Sequence, residues 1–258
     1  MEVNKKNALV IGCGSIGSKY ISLLIDLGFQ VGCYDNKKID KKLFNDNVIF
    51  FDTLESSLNI NPNIIIISTP PNSHLSCLKS VSQSKAKILI EKPLASSHTD
   101  AQKILEIANE NQKRIWCVAN MRYHPGFKAI QKNLGRLGKI YSVTSHFTHR
   151  LSQMRSVATN VFASNKDEGG VILDCVHDID LLNKLFGKLS LVNSRIANLG
   201  DEKIEAEDYA DLWLESESKI HISMHLDFLS RWKSRGIKII AKNATLFWES
   251  YGKNPEIT

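Results

Sequence analysis

The chain has 258 residues, 43% hydrophobic and 23% charged, which excludes a disordered or collagen-like chain. At roughly 100–200 residues per domain, the length allows one large domain or two modest ones. Lys and Arg outnumber Asp and Glu by 33 to 27, a net charge of +6. These charges are scattered, and the densest groups, Lys37–Lys42 and Arg231–Lys242, lack an interleaved aromatic platform. Solvated faces are therefore expected rather than a nucleic-acid surface, and the balance also suits an anionic phosphorylated ligand. No apolar run approaches the ~20 residues of a membrane span. Met1–Asn7 has no apolar core ahead of a cleavage site, so no secretory signal is read. Cysteines stand at 13, 33, 77, 117 and 175 with no C-x-x-C, which argues against a zinc site and a disulfide framework. A cytoplasmic protein with reduced thiols, no metal and no membrane partner is expected.

The first half alternates strands and helices. Ala8–Ile11 is strand-sized, and Ser15–Leu27 places Ile16, Tyr20, Leu23, Leu24 and Leu27 at helical spacing, with Gly28 at the stop. Phe29–Tyr34, Val48–Phe51, Asn63–Ser68, Ala86–Ile90 and Arg114–Ala119 read as further strands. Ile64–Ile67 is apolar throughout, as suits a parallel strand buried on both faces. Asp52-Thr-Leu-Glu55 has capping-box spacing, and a helix is expected from about Ser97 to Asn109. This order predicts an α/β domain over 1–121, an open parallel sheet with helices on both faces.

After Asn120 the pattern changes. Pro125–Leu134 reads as helix, Lys139–His149 as strand and Leu151–Glu168 as loop. Gly169–Gly170 opens a helix running to about Phe186, stopped by Gly187. Strands are expected at Ser190–Leu199, Glu207–Glu215, Lys219–Leu229, Ile237–Ala241 and Thr245–Trp248. Ile220, Ile222, Met224, Leu226 and Phe228 alternate with His221, Ser223, His225 and Asp227. That alternation predicts, over 122–258, an α+β domain whose open, mostly antiparallel sheet has one packed and one polar face. His146 and His149 are expected on the polar face with His221 and His225, where they can serve as substrate wall, subunit interface or solvent face.

Gly12-Cys13-Gly14-Ser15-Ile16-Gly17 follows the first strand and opens the first helix. In that place the glycines have defined duties: Gly12 a tight turn, Gly14 close approach of a pyrophosphate, Gly17 close helix–strand packing. The helix N-terminus then offers N–H groups and a positive dipole end to the phosphates. Asp35 ends the second strand, where a carboxylate can accept from the adenosine ribose hydroxyls and repel a 2′-phosphate. NAD is therefore expected, with Lys37 and Lys38 leaving NADP open. Thr69-Pro70-Pro-Asn72-Ser-His74 follows the fourth strand and Glu91-Lys92-Pro93 the fifth. Ligands in an open α/β sheet bind outside the carboxyl ends of its strands, where Gly12, Asp35, Thr69, Lys92 and Asn120 all fall. A lysine there can exchange a proton with a bound alcohol. Asp174 and His177 are three residues apart, so on one helix their side chains can meet, and the carboxylate can orient the imidazole. With Asp178 and Lys184 they also read as the solvated stripe of an amphipathic helix.

The segments G-C-G-S-I-G, T-P-P-N-S-H, E-K-P-L-A, N-M-R-Y-H-P and G-G-V-I-L-D-C-V-H-D-I-D-L-L together resemble the Gfo/Idh/MocA oxidoreductases, the glucose–fructose oxidoreductase and inositol dehydrogenase group, from Ala8 to about Trp248. The resemblance implies a Rossmann domain, a second domain that binds substrate and builds homodimers or homotetramers through its open sheet, NAD or NADP, and hydride transfer at a sugar, cyclitol or sugar-nucleotide alcohol carbon. It implies that Lys92 contacts the substrate hydroxyl and the nicotinamide region, that His177 pairs with it in proton transfer, and that the Lys92–Pro93 peptide is cis. Thr69, Pro70, Asn72 and His74 would line the nicotinamide end beside Glu91. Asn120, Arg122 and Tyr123 would lie near the substrate, with Asp174 and His177. Two departures stand out: many members place the Asp four residues before the His, and relatives usually continue with further strand and helix beyond Thr245–Trp248. A second reading is therefore a non-catalytic NAD-binding regulatory or truncated member, and a third, nucleic-acid binding, has no reading motif behind it.

Overall fold

Alternate residues of strand β1 (Asn7–Ile11) enter two different cores: Leu9 and Ile11 belong to one, Ala8 and Val10 to the other. A strand buried on both sides must be apolar throughout, and β1 and β4 (Ile64–Ile67) are. In the computed structural model, residues 6–37, 39, 48–110, 114–154, 165–166, 169–200 and 204–250 are described. The chain divides into two units, Met1–Val118 and Ala119–Thr258.

In the first unit, β1, β2 (Gln30–Tyr34), β3 (Val48–Phe50), β4, β5 (Lys87–Ile90) and β6 (Ile115–Cys117) form one parallel sheet in the order β3-β2-β1-β4-β5-β6. The order reverses between β1 and β4, the switch point at which such sheets bind ligands. Helix α1 (Ser15–Asp26) packs Ile21 and Leu24 on Val10, Val31 and Ile66. Helices α3 (His74–Val81) and α4 (His98–Glu110) pack Leu78, Val81 and Ile104 on Ile65, Ile67 and Ile88. The sheet is thus covered on both faces, as the alternation of strand and helix predicts. One local reading changes. The short helix α2 (Leu54–Ser57) is capped by Thr53, whose hydroxyl accepts from the Ser56 N–H at 3.0 Å, so the cap lies one residue beyond Asp52. The Thr69–His74 segment after β4 runs through a 3-10 turn (Pro71–Ser73) directly into α3.

The second unit opens with a 3-10 turn (Asn120–Tyr123) and α5 (Pro125–Leu134), where the His124 ring accepts from the Gly126 N–H and Pro125 needs no partner in the first turn. Strands β7 (Ile140–Thr148), β8 (Leu189–Ala197), β9 (Tyr209–Ser216), β10 (His221–Asp227), β11 (Ser234–Ala241) and β12 (Thr245–Ser250) form one sheet, ordered β12-β11-β7-β10-β9-β8. It is mostly antiparallel, but β7 and β10 pair in parallel, His221 opposite Ser142 through Asp227 opposite Thr148. Val143, Ile222, Met224, Leu226, Leu212 and Ile239 point into a core shared with Val171, Leu182 and Phe186.

Three readings of this half are corrected. Leu151–Met154 is a short helix, α6, where a loop is expected; most of the rest of that loop and Lys38 lie outside the described residues. The helix expected from 170 to 186 is two helices, α7 (Val171–Asp174) and α8 (Val176–Phe186), interrupted at Cys175. His149 is not on the polar face: it is buried, stacked on Phe147 and edge-on to Phe228.

The outer face of this sheet carries two adjacent rows. One runs Phe247, Lys238, Thr144, Ser223, Trp213, Asn193, with Phe247 and Trp213 exposed. The other includes His146, His225, Asp211 and Arg195. In that row His225 Nδ1 lies 2.7 Å from Asp211 and its Nε2 2.8 Å from Asp227, while the Tyr209 hydroxyl donates to Asp211.

Candidate cofactor and catalytic site

The glycine loop is built as its spacing requires. Gly12 adopts φ +89°, and a side chain there would meet the backbone of Ser68 and Thr69 at 2.8 Å. A Cβ on Gly17 would lie 1.9 Å from the Gly12 carbonyl oxygen, so α1 can lie this close to the loop only with glycine. Gly14 is different: nothing stands within 4 Å of where its Cβ would be. It is also the N-cap of α1, with no side-chain cap and no acidic residue in the first turn. An open glycine before an uncapped helix start is the surface a pyrophosphate fits.

Asp35 follows β2 immediately. One carboxylate oxygen accepts the Cys13 N–H at 2.7 Å and the other the Lys37 N–H at 2.8 Å. A carboxylate has about four acceptor positions, so capacity remains for ribose hydroxyls. The bond to Cys13 ties the acid to the glycine loop. The Cys13 thiol is pushed up by its hydrogen bond with Cys33 and by burial, so it is a neutral packing group here. Ser15 and Ile16 are exposed at the start of α1.

The segments after β4 and β5 are joined by one imidazole. His74 is fully buried, with Nε2 2.8 Å from the Thr69 carbonyl and Nδ1 3.1 Å from that of Leu94. Burial holds its pKa below the ordinary value, and the neutral ring donates to one of the two carbonyls. His74 thus sits between the two loops, with one ring N–H to give to either of them. Pro70 and Asn72 are exposed on the first of these loops, and Thr69 is half-buried. On the second, the Lys92–Pro93 peptide is cis, and Glu91 Oε2 accepts the Lys92 N–H at 2.9 Å. Glu91 Oε1 accepts the Tyr20 hydroxyl at 2.6 Å. By spacing alone Tyr20 is only an apolar position on α1; the signal that sets it apart is a phenol among aliphatics three residues after Gly17.

In the second unit, Asn120, Arg122 and Tyr123 share the 3-10 turn. Arg122 forms a two-pronged ion pair with Asp180 on α8, its Nε donating 2.7 Å to Oδ2 and its second donor reaching Oδ1. Tyr123 is exposed, with the Lys128 ammonium 5.5 Å above its ring. Asp174 is the last residue of α7, while His177 is in the first turn of α8. The two therefore do not share one uninterrupted helix face, and the i, i+3 argument for their meeting does not apply. Asp174 is buried and His177 half-buried. The expected solvated stripe is only partly solvated: Lys184 is exposed, but Asp174 is buried and Asp178 is buried against Arg235 of β11. On the same helix Asp180 is held by Arg122. Among the described residues no cluster of His, Cys, Asp and Glu could hold a metal ion, and no helix is long and apolar enough to cross a membrane.

An uncharacterized oxidoreductase of Schizosaccharomyces pombe is 26% identical over 183 residues, covering 67% of this chain and 48% of its own. The chain spans about half the length of that relative. Among solved structures, the WlbA dehydrogenase of Bordetella pertussis, crystallised with NADH and UDP-GlcNAcA, superposes with TM-score 0.83 at 21% identity over 97% of this chain and 75% of that one. Myo-inositol 2-dehydrogenase of Lactobacillus plantarum does so with TM-score 0.81 at 17% identity over 95% and 76%. These likenesses establish the fold. Residues 6–118 match the oxidoreductase family's NAD-binding Rossmann fold and residues 131–247 the GFO/IDH/MocA C-terminal domain, so the chain belongs to the Gfo/Idh/MocA oxidoreductase family.

Proposed function

We propose that the chain is an NAD(P)-dependent dehydrogenase or reductase acting at an alcohol carbon of a sugar, cyclitol or sugar nucleotide. The observation that carries this reading is the open Gly14 cradle at the bare start of α1, with the Asp35 carboxylate bonded to the same loop. Residues 1–121 are assigned to cofactor binding and 122–258 to substrate binding. The substrate class is supported by the sugar nucleotide bound to one structural neighbour and the cyclitol named for another.

When bound, the nicotinamide supplies the carbon that accepts or returns hydride. The chain supplies position and proton transfer. Backbone N–H groups from Gly14 to Gly17 would hold the pyrophosphate, those of Gly12 and Cys13 being given to the Tyr34 carbonyl and the Asp35 carboxylate, and Asp35 would accept from the adenosine ribose, which favours NAD over a 2′-phosphorylated cofactor. Thr69, Pro70, Asn72 and Glu91 border the nicotinamide end, with the buried His74 ring set between the two segments. Lys92 takes the substrate hydroxyl proton in the oxidative direction and returns it in the reductive one. His177 is the second proton carrier, while Asp174, Asn120, Arg122 and Tyr123 surround the substrate. The outward row with Trp213 and Phe247 is assigned to contact with a second copy of the chain.

The test is NADH titration followed by turnover with UDP-N-acetylglucosaminuronate and myo-inositol. The reading expects binding of one NADH per chain, and a Lys92→Ala variant that still binds NADH but loses turnover by about 100-fold or more. Binding of neither NADH nor NADPH would overturn it. A wild-type chain that binds NADH but oxidises or reduces no alcohol of this class would favour the regulatory reading.

A further inference from the structure

Packing accounts for the ring of Tyr20, which lies against the core on the α1 side of the sheet. It does not account for the hydroxyl. That group donates 2.6 Å to Glu91 Oε1, on a segment 71 residues away, and the other Glu91 oxygen accepts the Lys92 backbone N–H at 2.9 Å. The Glu91 N–H is bonded in turn to the Ile67 carbonyl at 2.9 Å. Every part of this chain of contacts lies in the first unit. Glu91 thus spends one oxygen on the helix that begins at the glycine loop and the other on the backbone of Lys92. Burial pushes the Tyr20 phenol above its ordinary range, and the Glu91 hydrogen bond pushes it further, so the hydroxyl stays a donor throughout the neutral range. A short bond from a neutral donor to a carboxylate is among the stronger hydrogen bonds a protein makes.

We propose that Tyr20 is a positioning residue for hydride transfer, fixing Glu91, and through it the backbone of Lys92, to the helix whose N-terminus seats the pyrophosphate. This deepens the dehydrogenase reading and rests on it. Its consequence is that occupation of the phosphate cradle and placement of Lys92 are mechanically coupled: α1 cannot settle onto phosphate without carrying Tyr20, and Tyr20 carries the Glu91–Lys92 turn. Tyr20 acts only through Glu91, so its effect must vanish once Glu91 is gone.

The experiment uses the full chain, Tyr20→Phe, Glu91→Ala and the double variant. Phenylalanine keeps the ring and its packing, so the thermal midpoint should stay within a few degrees of wild type. The readout is hydrogen exchange of the Lys92 amide, alone and with saturating ADP, a probe that has the pyrophosphate but no nicotinamide to shield Lys92 directly. In the free protein, Tyr20→Phe should speed that exchange about tenfold, the loss of roughly one hydrogen bond. ADP should slow exchange at Lys92 in wild type and leave it unchanged in Tyr20→Phe, although both bind ADP. Turnover should fall about tenfold with KM for the alcohol within about threefold, since placement is lost rather than affinity. Adding Tyr20→Phe to Glu91→Ala should change nothing more. Exchange at Lys92 that is indifferent to Tyr20→Phe, or additive losses in the double variant, would overturn the proposal while leaving the dehydrogenase reading intact. A wild-type chain that binds neither ADP nor NADH would overturn both.

Discussion

Arg235 and Asp178 form a buried ion pair that joins β11 to α8: the arginine Nε lies 3.0 Å from Asp178 Oδ1, and both side chains are nearly sealed from solvent. The guanidinium also stacks over Phe147, 3.9 Å from its centroid, and reaches the Met121 sulfur at 3.5 Å. A flat cation is needed to pair and stack at once, which lysine cannot do. Removing one charge leaves the other buried and unpaired. Asp178→Ala should therefore cost about 3–5 kcal/mol of stability, and replacing both partners by apolar residues should recover much of it. Urea unfolding of the two single variants and the double variant measures this. Losses that simply add in the double variant would show that the two charges are not coupled.

Two glycines of one loop should respond in opposite ways. A methyl on Gly17 meets the Gly12 carbonyl at 1.9 Å, so Gly17→Ala should cost about 1–3 kcal/mol or distort the loop outright. A methyl on Gly14 meets nothing, so Gly14→Ala should leave the melting temperature unchanged. It would nevertheless occupy the space assigned to the pyrophosphate, and NADH affinity should drop by about tenfold or more. Calorimetric melting paired with NADH titration separates the two effects.

Asp35 both receives the Cys13 N–H and faces the position assigned to the ribose. Asp35→Ala should weaken NADH binding by about 10- to 100-fold, the loss of one or two hydrogen bonds to a charged acceptor. NADPH should lose less, because the carboxylate repels its 2′-phosphate. The ratio of the two dissociation constants is the measurement, and an unchanged ratio would remove Asp35 from cofactor selection.

The outer sheet face should give the protein a pH-dependent stability. The Asp227 hydrogen bond, with help from Asp211, raises His225 above its ordinary value of 6.5. Burial works against the charged carboxylates, but hydrogen bonds outweigh it and hold both below their ordinary range, from Tyr209 and His225 to Asp211 and from His225, Ser230 and Leu229 to Asp227. The histidine's contribution is complete below pH about 6.5 and is lost as pH rises through its raised folded value. The carboxylates' contribution is present above their ordinary values and is lost on acidification through the lowered ones. Wild type should thus exceed His225→Gln in stability most clearly near pH 5.5, with the gap closing by pH 8.5. Urea midpoints at three pH values test this, and a gap that widened toward alkaline pH would contradict it.

What the sequence made legible was whatever one segment decides alone. Ile64–Ile67 can only be a two-sided buried strand, and the order of strands and glycines places Gly12, Asp35 and Lys92 at strand ends before any coordinates exist. What it hid depends on partners far along the chain. Asp178 looks like a solvent-facing charge because its partner Arg235 lies 57 residues away, and nothing near Arg122 in sequence points to Asp180, 58 residues on. The break at Cys175 has no proline or glycine to announce it. His149 was legible after all: three residues from His146, it falls on the opposite side of β7, the buried one with Val143, Ser145 and Phe147.

The parallel pairing of β7 with β10 also bears on how the second unit is made. Two parallel neighbours cannot be joined by a hairpin, and here α6, α7, α8, β8 and β9 all intervene. During synthesis β7 leaves the ribosome long before either of its sheet neighbours, β10 and β11, exists. The first unit can close as soon as β6 has emerged, while the second waits with its central strand's backbone unpaired. Non-local pairing of this kind folds slowly and leaves an edge open to other chains meanwhile. Nascent chains stalled before residue 221 should therefore be the species that a chaperone holds or that aggregates, and release past β11 should clear it.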